Sequence, residues 1–334
     1  MSRHVLLDHG SGGRASYRMI KDIFLRHLEN PILSGLDDAA CIEAWPGTVV
    51  STDTFTVDPL FFPGGDIGSL AVHGTVNDVA MLGARPMYLT CGFVLEEGLP
   101  LEDLEAVVRS MGRAATEAGV RVISGDTKVV PRGAADKMFI NTTGIGRLLL
   151  DRPLSGSSAK PGDAILVSGN LGDHGLAVMA SRSGLSFETA VKSDSAPLNG
   201  LIELLLERVE HVHVLRDPTR GGLATTLNEI SAQSGVEMLV REAELPVRPA
   251  VREGCSLLGL DPLYLANEGR LVCLVGSGQA AEALDVLRSH PLGTEARQIG
   301  EASAGEAGRV VLQTAIGGKR FLSMLEGEQL PRIC

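Results

Sequence analysis

Residues 151–162 read DRPLSGSSAKPG, a run of Pro, Gly and Ser with no apolar period, and the pattern on either side of it is that of a chain that folds twice. Such clusters mark loops and linkers because Gly and Pro punctuate regular structure. Before it, Tyr17–Asn30 carries Ile20, Ile23, Phe24 and Leu28 on one helical stripe. Thr48–Thr52 reads as a strand running into Asp53-Thr54. Ile67–Leu82 reads as a helix stopped at Gly83, and Leu101–Ala118 as a helix stopped by Gly119. Strands are expected at Val120–Ser124 and Met138–Gly146. After the linker the alternation restarts with strand Ala164–Ser168 and helix Gly175–Ser183. Helices follow near Pro197–Arg208, Leu223–Ser234 and Gln279–Ser289, with strands near Met238–Val240, Leu271–Val275 and Val310–Gln313. The pattern predicts an α/β (α+β) protein of two domains, residues 1–155 and 156–320. The remaining stretch, 321–334, ends in EGEQLPRIC, has no period, and is expected to be a flexible tail. At about 3.3 Å per residue, a dozen extended residues reach on the order of 40 Å.

Composition narrows the function. The chain has 334 residues, 44% hydrophobic, with 40 glycines and only 4% aromatics, which fits a loop-rich soluble protein. A formal net charge of -11 argues against nucleic-acid binding, which needs a basic footprint. It leaves a phosphate ligand possible, since carboxylates hold phosphate through bridging Mg²⁺. No signal peptide is visible in MSRHVLLDHGSGGR, and no run of about 18 apolar residues predicts a membrane span. Five scattered cysteines (Cys41, Cys91, Cys255, Cys273, Cys334) form no CxxC pair, which suits a reducing cytoplasm.

Acidic residues recur at strand ends or beside glycine: Asp37 and Asp38 in GLDDAA, Asp53 in STDTF, Asp78 after Asn77 in VNDVAMLGA, Asp126 in ISGDTK and Asp217 in LRDPTRGG. Each alone is an ordinary turn or cap. Together they are the hard oxygen ligands, spread over several loops, that Mg²⁺ and a nucleotide triphosphate need. Gly10–Ala15 formally matches GxGxxA, with Asp37 or Asp38 about 20 residues on as in a dinucleotide fold. Only nine residues precede it and no βαβ unit follows, so the match is coincidental. The run is better taken as a glycine loop with Ser11 and Arg14 open to phosphate oxygens. No GxxxxGK[ST] sequence is present, which removes a P-loop site.

The ordered set HGSGGR, GLDDAA, STDTF, VNDVAMLGARP, ISGDT, VSGNLGDHG and RDPTRGGLA resembles the ATP-binding superfamily of aminoimidazole ribonucleotide synthetase, which includes selenophosphate synthetase and thiamine-monophosphate kinase. With ANEGR and a terminal PRIC added, the set is most similar to the superfamily's hydrogenase-maturation branch of HypE type. The resemblance implies an N-terminal domain that binds ATP and Mg²⁺ and forms a homodimer, with a C-terminal α/β domain behind it. It makes Asp38, Asp53, Asp78 and Asp126 metal and phosphate ligands. Gly12, Gly13, Asp37, Asn77, Gly125 and Asp217 become further candidates for the nucleotide site; which of Asp37 and Asp38 faces the metal stays open. It implies that Cys334 carries a carbamoyl group delivered by HypF, which ATP-dependent dehydration turns into a thiocyanate. The acceptor is then the HypC–HypD complex. Lys128 matches a family lysine that could supply positive charge, and Glu268 a family glutamate that could be the base. Alternatives are a small-molecule kinase of the selenophosphate-synthetase or thiamine-phosphate-kinase type, or a nucleotide-regulated scaffold. The kinase would prefer a reactive residue near the N-terminal glycines. His73, Asp173 and His174 are expected to be structural.

Overall fold

A computed structural model describes residues 4–10, 14–35, 40–43, 45–182, 191–325 and 332–334. Gly12, Gly13, Asp37 and Asp38 therefore lie outside the described residues.

The first domain is one sheet with helices on one face. Its strands are β1 (Thr48–Phe55), β2 (Ala84–Glu96), β3 (Arg121–Val130) and β4 (Met138–Leu148), and its main helices are α1 (Ile67–Met81) and α2 (Leu101–Ala118). The sheet order is β1-β4-β2-β3, with β2 and β3 parallel and the other pairs antiparallel. Burial alternates along much of β1, β2 and β4. Phe55, Leu89, Cys91, Phe93, Met138 and Ile140 are buried on the helix side, whereas Val50 (61% exposed) and Val94 (36%) lie on an open face. Asp66 starts α1 with a capping box: its Oδ1 accepts from the Gly68 and Ser69 N–H groups, and Ser69 Oγ accepts from the Asp66 N–H. That helix is apolar nearly all round because it is sandwiched between this sheet and the second domain.

The second domain comprises β5 (Asp163–Val167), α3 (Asp173–Arg182), α4 (Asn199–Arg208), β6 (Val212–Arg216), α5 (Gly222–Ser234), β7 (Glu237–Arg241), α6 (Pro249–Leu258), β8 (Val272–Gly276), α7 (Ala280–Ser289), β9 (Arg297–Ser303), β10 (Val310–Gln313) and β11 (Lys319–Phe321). Among the described residues its sheet runs β11-β10-β7-β9-β5-β8-β6.

The structure alters the expected organisation in two ways. Strand β2 was hidden by Gly83 and Pro86. It forms nonetheless, with a register irregularity between Pro86 and Tyr88 that accommodates the proline. The described residues of the tail expected over 321–334 have contacts that the sequence did not announce. Phe321 pairs with Val311 in β11, Leu322 is buried in the second core, and residues 332–334 return to the first domain. Main-chain pairing and carbonyl contacts hold these residues, and neither leaves a hydrophobic period to read. The two cores are also joined: Val178, Ala266 and Ile333 pack in the first domain's core, and Ala80 and Met81 pack with α4, β6 and α7 of the second.

Asn77 fastens the seam. Its amide donates to the carbonyls of Ala196 (3.1 Å) and Glu268 (3.2 Å), and its oxygen accepts from the Leu198 N–H (2.8 Å). All of its polar capacity but one lone pair is thereby used on main chain. Asn77→Ala should strand these groups and cost about 2–3 kcal/mol, seen as a lower thermal midpoint, with secondary structure retained in the far-ultraviolet spectrum.

Candidate active site

Four elements converge where the domains meet. From β1 comes Asp53, whose Oδ1 accepts from the Thr54 N–H at 2.7 Å. From α1 comes Asp78, whose Oδ2 accepts from Ser51 Oγ at 2.8 Å. The turn after β6 supplies Asp217 and Arg220. It is glycine-dependent: Gly221 and Gly222 have φ of 78° and 61°, and a Cβ at Gly222 would come within 2.5 Å of the Leu263 carbonyl. The loop Ala266–Arg270 supplies Glu268, buried to 2% exposure, with one carboxyl oxygen that no hydrogen-bond partner reaches. Gly74 lets α1 pack on the Phe55 ring, since a Cβ there would lie 2.9 Å from it, and the same side of the helix faces Glu268 Oε2.

The C-terminus enters this space from the first domain's side. The Cys334 carbonyl accepts from the Thr56 N–H (3.0 Å), and the Arg332 carbonyl accepts from the Asp58 N–H (3.2 Å) and from Arg182 (2.8 Å). The Ile333 carbonyl lies 2.8 Å from His174 Nε2. Arg332 itself donates to the Thr56 carbonyl (2.8 Å), pairs with Asp136 and lies over the Phe139 ring. Together, Cys334, Glu268, Asp53, Asp78, Asp217 and Arg220 line a cavity of about 200 Å³. Asp78, Asp217, Thr219 and Arg220 also line a neighbouring cavity of about 620 Å³, which has Met81, Leu82 and Leu154 at an apolar end and an Arg216–Glu229 ion pair. That size suits a small ligand.

Burial governs the electrostatics, and the crowding of acids adds to it. Burial raises Asp53. It also raises Asp78 and Asp217, with repulsion from Asp53 and Asp78 respectively adding to it. Burial, followed by the charges of Asp217 and Asp194, holds Glu268 well above the usual carboxylate range. Burial, then Glu268, pushes the Cys334 thiol up to about 12. The thiol is therefore neutral here, and the site as a whole is short of positive charge.

Of the residues expected at the site, Asp53, Asp78, Asp217, Glu268 and Cys334 are brought together. Asn77 stands behind them as the seam's clip, so its amide is committed elsewhere. Gly125, Asp126 and Lys128 lie on β3, three strands from β1 in the sheet order and so about 14 Å away at 4.8 Å per strand. Asp126 and Lys128 are exposed, and neither lines either of the cavities just described. A Cβ at Gly125 would lie 2.8 Å from the Cys91 carbonyl, which gives that glycine a packing reason of its own. Arg216 and Arg220 were not anticipated, although RDPTRGG contains both. Asp194 and His174 depend on contacts distant in sequence, which no local pattern reveals.

Glu268 gives a pH signature. In the unfolded chain it ionises near 4.5, and in the folded chain only at higher pH. Its contribution to stability is therefore fully present below pH 4.5 and is lost as pH rises toward the folded value. Glu268→Gln cannot ionise. Without nucleotide, its thermal midpoint should rise relative to wild type as pH increases from 5 to 8, and a constant difference would count against a buried, proton-holding carboxyl.

With this geometry in view, comparison with known proteins is specific. Residues 36–148 match the AIR synthase related protein N-terminal domain and residues 160–313 its C-terminal domain. Carbamoyl dehydratase HypE of Cupriavidus necator is 52% identical over all of this chain and 95% of its own length. A HypE crystal structure in complex with ATP is 62% identical, with a TM-score of 0.96 over 98% of this chain and 99% of that one. A HypE–HypF complex supplies a chain 48% identical, with a TM-score of 0.81 over 92% of this chain and 99% of that one. A thiamine-monophosphate kinase from Stenotrophomonas maltophilia, 24% identical with a TM-score of 0.68, shares the fold alone. The chain belongs to the AIR synthase related family, and within it to the carbamoyl dehydratases of HypE type.

Proposed function

We propose that the chain uses ATP to dehydrate a carbamoyl group carried on Cys334, turning the thiocarbamate into a thiocyanate that supplies cyanide to the iron of nickel–iron hydrogenase. The observation that carries this reading is the position of Cys334: the chain's own C-terminal thiol shares one small cavity with Glu268 and three aspartates. A kinase acting on a free small molecule would need that space for its substrate. A scaffold would need no buried carboxylates there.

The atoms balance as S–C(=O)–NH₂ plus ATP giving S–C≡N, ADP and phosphate. The carbamoyl oxygen is a poor leaving group until the terminal phosphoryl of ATP is transferred to it. Expulsion of phosphate from carbon, with loss of both N–H protons, then forms the triple bond. Glu268 would accept a proton, and its burial beside Asp217 and Asp194 makes it a strong base once ionised. Arg220, whose charge is felt at Asp53, Asp78 and Cys334, is placed to steady anionic oxygens. Asp53, Asp78 and Asp217 are hard oxygen donors whose crowding suits a divalent cation, and they would hold Mg²⁺. Among the described residues no three His, Cys, Asp or Glu side chains cage an ion by themselves, so phosphate oxygens and water would complete its shell. When bound, Mg²⁺ would neutralise phosphoryl charge. Glu268, relieved of its neighbours' repulsion, would then ionise nearer neutral pH.

HypF would load the carbamoyl group, and the HypC–HypD complex would receive the cyanide. A homodimer formed through the open face of the first sheet gives a role to Asp126 and Lys128, which are unused within one chain. The reaction would run in the cytoplasm; among the described residues no helix is long and apolar enough to cross a membrane.

Intact mass spectrometry tests the reading. After HypF, carbamoyl phosphate and ATP, the protein should gain one carbamoyl group, then lose the mass of one water when MgATP is present. Cys334→Ala should gain nothing. An unmodified wild type beside an active HypF would return the small-molecule kinase to first place. Glu268→Gln should still be loaded but dehydrate at least a hundredfold more slowly, measured in a single turnover.

A further inference from the structure

Three consecutive residues between α3 and α4, Ser193-Asp194-Ser195, are tied to both partners in the reaction. Asp194 is buried, and its two oxygens accept from the N–H groups of Glu268 (3.2 Å) and Gly269 (3.4 Å), with Arg270 Nε 3.6 Å away. Ser193 is held by its own N–H, which donates to the Pro63 carbonyl at 2.7 Å. Its Oγ accepts from the Ser195 N–H at 3.0 Å and lies 2.8 Å from His174 Nδ1. The other ring nitrogen of His174 lies 2.8 Å from the Ile333 carbonyl.

Donor and acceptor roles follow from chemistry. A carbonyl can only accept, so His174 Nε2 carries a proton. In the neutral ring Nδ1 is then a lone pair, and the Ser193 hydroxyl must donate to it. That hydroxyl is free to do so because its oxygen is already used as the acceptor from Ser195. The chain of bonds thus runs in one direction, from Ser195 N–H through Ser193 and His174 to the tail. Full burial of the ring, packed edge-on against Phe62 at 5.5 Å, favours the neutral form that this direction requires.

We propose that His174 is a positioning residue for the reacting cysteine: its grip on the Ile333 carbonyl sets how far Cys334 enters the cavity, and Ser193-Asp194-Ser195 holds Cys334 and Glu268 in one frame. This rests on Cys334 and Glu268 being carrier and base. The contact is to main chain, one residue before the thiol, so it orients the sulfur whatever group the sulfur bears. It also gives the buried GDHG histidine a role that touches neither nucleotide nor metal.

The test has two arms on the full-length protein. In the first, Cys334 is labelled with N-ethylmaleimide and its C-terminal peptide quantified by mass, which separates it from the exposed Cys41. His174→Phe keeps a ring but loses the donor, and should label about tenfold faster than wild type. His174→Gln can still donate to the carbonyl and should label nearly as slowly as wild type. In the second arm, HypF-loaded proteins are followed through one ATP-dependent turnover. His174→Phe should convert ten- to a hundredfold more slowly, with His174→Gln recovering most of that and loading by HypF undiminished. Should His174→Phe fail to fold, Ser193→Ala keeps the ring but removes its hydrogen-bond partner, together with the acceptor of the Ser195 N–H, and should shift both rates the same way, about threefold. Wild-type rates for His174→Phe in both arms, or equal loss in His174→Gln and His174→Phe, would overturn the proposal. A wild type that loads without converting would instead overturn the dehydratase reading, while the labelling arm still reports on His174.

Discussion

Glu268 is buried with one carboxyl oxygen unsatisfied and three aspartates nearby, and keeping an acid in that place constrains much of the surrounding structure. An orphaned buried oxygen costs roughly 1–3 kcal/mol, and charge on it costs more. The acid is tolerated because its main chain is held so firmly. Asp194 takes its N–H and Asn77 its carbonyl, so the loop has little freedom to turn the carboxyl out to water. Burial then keeps the proton on Glu268 until opposite charge arrives. On the proposed reading, the same feature that weakens the apoprotein would make Glu268 a proton acceptor only once positive charge is bound nearby.

Cys334 obeys the same logic. A thiol pushed up to about 12 is a poor nucleophile, which suits a residue that must hold a group through dehydration rather than attack one. Loading requires a thiolate, and the docked position disfavours it. On the proposed reading, carbamoyl transfer would then be expected with the thiol outside the cavity. Docking by main-chain carbonyls of residues 332–334 rests on a handful of part-buried or buried hydrogen bonds rather than on a packed hydrophobic helix. Among residues 332–334, Ile333 is lodged in the first domain's core, with Cys334 packed against it.

Legibility in the sequence followed the range of the interactions. Helices with a clear period and a glycine stop, such as Leu101–Ala118, were readable almost to the residue. The carboxylates Asp53 in β1, Asp78 on α1 and Asp217 after β6 stood out by type and by the motifs around them, whereas their convergence in one cavity did not. Strand β2 was not readable, because Pro86 looks like a terminator and only the sheet's irregularity at that point shows how it is absorbed. The seam between domains was invisible as well: Asn77 reads as one more ligand beside Asp78, whereas its neighbours across the seam are more than a hundred residues away. The tail looked free for the same reason, since carbonyl contacts leave no signature in side-chain type.

What unites these long-range contacts is that they are made to main chain. Asp194, Asn77, Thr56, Arg182 and His174 bind backbone groups of the Glu268 loop or of the tail, and in doing so place side chains that they do not touch. Backbone contacts are indifferent to what the cysteine carries, so one frame can hold a thiol, a thiocarbamate and a thiocyanate in turn. A site built from side-chain contacts to the carried group would bind one of the three best and stall there. Holding the carrier by its backbone leaves the small cavity to discriminate among reaction stages by charge alone, through Arg220 and the carboxylates that face it.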